Sequence, residues 1–147
     1  MRIIIIILFF LLQNNSLFSM DEYFLTLRNE KVNLRQGPSF DYPIKIFYKK
    51  KFLPVLVQDR SDNFRKIRDH ENNTGWIHIS QLSKKKAAIV IEDKSTLFNN
   101  STIYSNPLAI LKKGRLVKIK KCKNDWCKVM TGDFKGWVKK ESLWGLL

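Results

Sequence analysis

Acidic residues are scarce in this chain: 13 Asp and Glu stand against 27 Lys and Arg in 147 residues, a formal net charge of +14 at pH 7. Such a surplus excludes a self-neutralised surface and gives a positive field that draws polyanions from a distance. Cysteine and histidine are scarcer still, with two of each. His70 and His78 lie far along the chain from Cys122 and Cys127, so a zinc site lacks a local ligand set; no metal and no cofactor are expected. Helical periodicity is missing, because apolar residues alternate instead of recurring at three and four. Neither a Cys-His arrangement nor a Ser-His-Asp pattern with nucleophile-elbow glycines is present, and no enzyme activity is expected. Long apolar runs are lacking too. The longest, 3–12, has ten residues, against the roughly 20 of a helical bilayer span.

That run fits another role. It follows one positive charge, Arg2, and precedes polar residues 13–16, the layout of a secretory signal peptide. A leader of residues 1–19, cleaved after Ser19, is therefore expected, and the product is placed outside the cytoplasm, in a periplasm or cell envelope. The alternative is a retained anchor, and membrane contact is expected only in that case. Cleavage removes Arg2 alone among the charged residues, so the exported chain keeps a net +13. One explanation of the surplus is compositional bias, with solvated lysines keeping small domains soluble. The other is a polyanionic partner. Export removes nucleic acid from the candidates and leaves wall carboxylates, anionic lipid headgroups and anionic glycans.

What the chain does contain is a repeat. Gly75-Trp-Ile-His-Ile-Ser-Gln-Leu82 returns as Gly136-Trp-Val-Lys-Lys-Glu-Ser-Leu143, 61 residues later. Upstream, 54–57 matches 116–119 and 64–67 matches 126–129. A period near sixty exceeds the ~20 to 50 residues of solenoid units, so each copy reads as a small domain. A domain of that size buries only ~60% of its unfolded surface, and docking of the copies on one another would help both. Short alternating runs bounded by turn residues predict an all-β fold, divided into a first domain over 28–83, a linker over 84–94 and a second domain over 95–147. Cys122 and Cys127 flank a four-residue hairpin loop. In an oxidising compartment they are expected to form a disulfide, since opposed strand residues stand within its reach.

Val32-Asn-Leu-Arg-Gln-Gly-Pro-Ser39, Tyr42-Pro43, Phe64-Arg-Lys-Ile67 and Gly75-Trp-Ile-His78 together resemble the bacterial SH3-like (Src homology 3) domain. The resemblance covers 30–82 well and 94–144 more loosely, because the second copy keeps the Trp126-Cys-Lys-Val129 and Gly-Trp parts but not the first loop. It implies two tandem small five-stranded barrels, export, frequent linkage to cell-wall hydrolases and, in several members, binding of peptidoglycan peptides. Gly37 and Pro38 are read as a tight turn, and Gly75 and Gly136 as sharp turns before a bulky residue. Trp76 and Trp137 are read as plugs of the barrel ends. The expected ligand-binding residues are Arg35, Tyr42, Phe64, Tyr104 and Trp126, beside the loops that border the groove of such barrels. Arg35 either braces its own loop or pairs with a ligand carboxylate. The first repeat, which keeps the full loop, is expected to be the binding one, and Trp144 to cover the seam between copies.

The leading reading is a non-catalytic envelope-associated module that recognises peptidoglycan peptide or glycan, or another anionic envelope polymer. A second is a protein-interaction module that recruits or regulates an envelope enzyme. A third is a wall hydrolase.

Overall fold

The computed structural model describes residues 19–147, so the expected leader lies outside the described residues. Fourteen short strands form two antiparallel sheets of seven. The first contains β1 (Tyr23–Leu27), β2 (Val32–Arg35), β3 (Ile44–Tyr48), β4 (Pro54–Ser61), β5 (Phe64–Arg68), β6 (Thr74–His78) and β7 (Leu82–Ser83). The second contains β8 (Ala87–Val90), β9 (Lys94–Phe98), β10 (Pro107–Lys112), β11 (Leu116–Lys123), β12 (Trp126–Thr131), β13 (Phe134–Lys139) and β14 (Leu143–Trp144). Their orders are β3-β2-β6-β5-β4-β1-β7 and β10-β9-β13-β12-β11-β8-β14. Adding seven to each label of the first gives the second, so the repeat seen in the sequence is a repeat of topology.

Alternation sets which face each strand buries. On β2, Val32 and Leu34 point into the core while Asn33 and Arg35 face out, as a period of two requires. The long strands β4 and β11 are each interrupted by one bulge, between Val57 and Asp59 and between Ile119 and Lys121. An extra residue bends and twists a strand. Each long strand thus pairs with the first strand of its sheet before the bulge and carries its hairpin partner across it.

Four expectations need correction. Residues 84–94 are not a plain linker, because 87–90 form β8, wholly buried and paired with β11 and β14. Likewise β1 precedes residue 28 yet pairs with β4 and β7; both segments are apolar strands flanked on each side by partners that lie far along the chain. The Gly-Trp glycines do not make turns. They lie within β6 and β13, where a Cβ on Gly75 would stand 2.7 Å from the Arg35 carbonyl oxygen and one on Gly136 would stand 2.5 Å from that of Phe98. Close passage of two backbones is what demands glycine there. Nor are Trp76 and Trp137 barrel plugs. Gly75 and Ile77 face the core, so Trp76 between them faces out and is half-buried, as is Trp137 between Gly136 and Val138. Two lysines, Lys121 and Lys128, lie over the Trp137 ring.

The two barrels share a packed seam. Ile89 of β8 belongs to the core cluster of the first barrel, with Leu116 packed against it. Trp144 meets Phe24 of β1 edge to face at 4.9 Å.

Candidate functional site

Each barrel presents the same constellation, assembled from a loop and two paired strands. In the first, Phe64 at the start of β5 lies directly across from His78 at the end of β6. In the second, Trp126 at the start of β12 lies across from Lys139 at the end of β13. The covering loops, 36–43 and 99–106, are equally long and closed alike. Gln36 N–H donates to the Pro43 carbonyl and Asn99 N–H to that of Asn106, both at 3.0 Å. The loops therefore correspond in shape, although only the first carries Gly-Pro-Ser.

In the first barrel the site is filled by its own loop. Phe40 packs on Phe64 at 5.3 Å and on His78 at 5.1 Å, which leaves Phe64 6% exposed while Phe40 is 64% exposed. Arg35 is committed to bracing. Its Nη1 donates to the carbonyls of Phe40 (3.1 Å) and Tyr42 (2.9 Å), and its guanidinium lies 5.3 Å from the Phe40 ring centroid. Tyr42 is exposed but packs flat against Gly37, where a Cβ would come within 2.5 Å of its ring. That contact, rather than a positive φ, explains the glycine, and Pro38 follows it in the braced loop. His78 is occupied as well: its Nδ1 accepts from Ser80 N–H at 3.2 Å, capping the 3-10 turn Ile79–Gln81.

In the second barrel the same place is open. Phe98 stands where Arg35 would be, since Phe98 pairs with Trp137 as Arg35 pairs with Trp76. Among the described residues no guanidinium draws this loop inward. Trp126, half-buried, stacks edge to face on Phe98 at 5.6 Å. Beside it opens a groove of about 690 Å³, bounded by Ser101, Thr102 and Ile103 from the loop and by Lys139, Lys140 and Glu141 after β13. This volume falls within the ~300 to 1,000 Å³ typical of ligand pockets. The rim carries both signs of charge: Lys139 pairs with Glu141 at 3.8 Å, and Asp125 is also present.

Of the five residues singled out in the sequence, Trp126 lines this groove and Phe64 lies under its closed counterpart. Arg35 and Tyr42 stabilise a loop. Tyr104, 91% exposed, stands off the groove, and its neighbour Ile103 lines it instead. Sequence reasoning missed Phe40, His78, Ile103 and Lys139. His78 and Lys139 had a signal: each is the second residue after the repeated Trp, on the strand that pairs with the Phe64 or Trp126 strand.

Cys122 and Cys127 are directly opposed on β11 and β12 with Cα atoms 4.0 Å apart, and they are bonded. The disulfide closes the hairpin that carries Asp125 and Trp126. Its loop is short, so reduction or paired replacement by Ala is expected to lower stability by about 2 kcal/mol, read as a shift in the urea midpoint with and without reductant. Unchanged midpoints would show that the hairpin needs no staple.

A family model described as the bacterial SH3 domain matches residues 28–84 and 101–145. No curated protein matches the chain in sequence. Among solved structures, NlpC2 from Trichomonas vaginalis is 10% identical with a TM-score of 0.39, aligned over 84% of this chain and 48% of its own. NlpC1 from the same organism is also 10% identical, with a TM-score of 0.38 over 87% and 47%. An NlpC/P60 family protein from Bacillus cereus is 11% identical, with a TM-score of 0.37 over 82% and 55%. The chain spans about half the length of these structures.

Proposed function

The chain belongs to the bacterial SH3 domain family, and from that membership we propose that it is a non-catalytic, exported envelope module whose second barrel holds a peptidoglycan peptide or glycan. We take its modules to span 23–83 and 87–144, the limits of the two sheets. The observation that carries the reading is the contrast between equivalent sites: one barrel closes its groove with its own Phe40, and the other leaves Trp126 bordering an open one. An aromatic face suits a sugar ring or a peptide stem. A rim with Lys139 and Lys140 beside Asp125 and Glu141 suits a ligand that bears both carboxylates and amines, as wall peptides do.

Non-catalytic action is supported by how the reactive side chains are used. Both cysteines are in the disulfide, and His78 packs against both Phe40 and Phe64 while capping a turn. Neither is a nucleophile with a placed base. Co-sedimentation with purified sacculi at 0.1 M and 1 M salt tests the reading. Binding should weaken as the Debye length falls from ~10 Å to ~3 Å and yet persist, with no dye released from labelled peptidoglycan. Failure to sediment at either salt concentration overturns wall binding in favour of a protein partner. Dye release overturns the non-catalytic reading.

A further inference from the structure

The lysines are not spread evenly over the fold. Lys51 in the β3–β4 loop, Lys85 between β7 and β8, and Lys118 on β11 hold their Nζ atoms 5.2, 5.7 and 4.7 Å from the ring centroid of Phe52. Three like charges from both barrels thus converge within about one Debye length of each other, ~10 Å at 0.1 M salt. Among the described residues the lysine–carboxylate contact within 4 Å is Lys139–Glu141, so no carboxylate is in contact with any of the three. Beside them lies a cleft of about 300 Å³, lined by Lys50, Arg115 and Lys118 and walled by Leu116, Met130 and Thr131. Arg115 is oriented there, with Nε donating to Thr131 Oγ1 at 2.7 Å.

The backbone at this point is also unusual. Phe52 has φ 65°, a conformation that a bulky side chain rarely adopts. Its N–H donates to the Leu27 carbonyl at 2.9 Å, which helps hold the ring where the ammonium groups meet. Sites that retain such strain are over-represented where ligands bind.

We propose that this seam between the barrels binds a phosphate group, with Lys51, Lys85 and Lys118 neutralising it and Lys50 and Arg115 extending the site into the cleft. A carboxylate offers one charge and two oxygens in a plane, too little to satisfy cations that approach from several directions. A phosphate offers more charge and acceptor oxygens on several sides. The site shares no residue with the Trp126 groove, so it stands or falls independently of that reading.

Calorimetric titration of the chain with inorganic pyrophosphate, at constant ionic strength set with sodium chloride, tests the proposal. Saturable binding is expected, and Lys51→Gln, Lys85→Gln and Lys118→Gln together should weaken it by about tenfold or more, given three lost charges at close range. A control with Lys66→Gln, Lys123→Gln and Lys135→Gln removes the same charge from other exposed lysines and should bind like the parent. Phosphatidylglycerol vesicles, compared with phosphatidylcholine ones, assign the source. Seam-dependent sedimentation with the former identifies a lipid headgroup, and pyrophosphate binding without it identifies a soluble or polymer-borne phosphate. Absence of saturable binding, or equal weakening by the two triple variants, overturns the site.

Discussion

Replacing Asp69 by Ala is expected to cost the first barrel about 3 to 5 kcal/mol, because the buried carboxylate accepts four hydrogen bonds and each stranded donor costs ~1 to 3 kcal/mol unless water reaches it. Oδ1 accepts from Glu71 N–H and Asn73 N–H at 2.9 Å each, and Oδ2 accepts from Tyr48 O–H at 2.8 Å and Asn73 Nδ2 at 2.9 Å. One side chain thereby shapes the whole β5–β6 turn and anchors β3 to it. A domain of this size has only about 5 kcal/mol to lose, so urea unfolding should show the first barrel melting at low denaturant. Asp69→Asn, which keeps Oδ1 but turns a donor toward Tyr48 and Asn73, should fall between the parent and Ala. A loss under ~1 kcal/mol for Ala would mean that the turn is set by its backbone alone.

The same network fixes a sign for alkaline pH. Burial, then the hydrogen bond to Asp69, then the negative charges of Asp69 and Glu71 push the Tyr48 phenol above its ordinary value. With the folded pKa above the unfolded one of ~10, the contribution of Tyr48 is fully present below pH 10 and is lost as pH rises beyond it. Tyr48→Phe should flatten the fall in stability between pH 9 and 11 relative to the parent.

How far the sequence speaks for the fold depends on which signal each segment carries. The Gly-Trp repeat and the alternating runs carry a period, so two similar all-β units follow from them. β1 and β8 carry none: β1 is a short apolar stretch beside the expected leader, and β8 follows Lys84, Lys85 and Lys86, a charge run that looks like the end of a module. Trp76 and Trp137 look like core by size, but Gly75 and Ile77 already occupy the inward positions, so parity puts the tryptophans outside. Loop directions are hardest of all. Phe64 and Trp126 are placed beside a groove by the family resemblance, with strand matching carrying the position from one copy to the other, whereas Phe40 folding inward and Ile103 reaching the rim depend on loop backbones with no period. Arg35 had two readings, and its two carbonyl partners are those that the bracing one calls for.

Trp126→Ala is expected to abolish the salt-resistant part of sacculus binding. Its indole is the largest side chain that lines the groove, and aromatic anchors of this kind carry about 2 to 3 kcal/mol of a binding free energy, roughly a 30- to 150-fold change in affinity. The effect should be on binding and not on folding, since Trp126 is half-buried and the neighbouring core positions are filled by Cys127 and Val129; the urea midpoint is the control. Trp126→Phe should restore part of the affinity by keeping a ring against Phe98. Tyr42→Ala should leave binding unchanged, because its ring covers Gly37 in a loop whose groove is already occupied by Phe40. If Tyr42→Ala weakened binding while Trp126→Ala did not, the ligand would have to displace Phe40 from the first barrel, and the closed site would be the functional one.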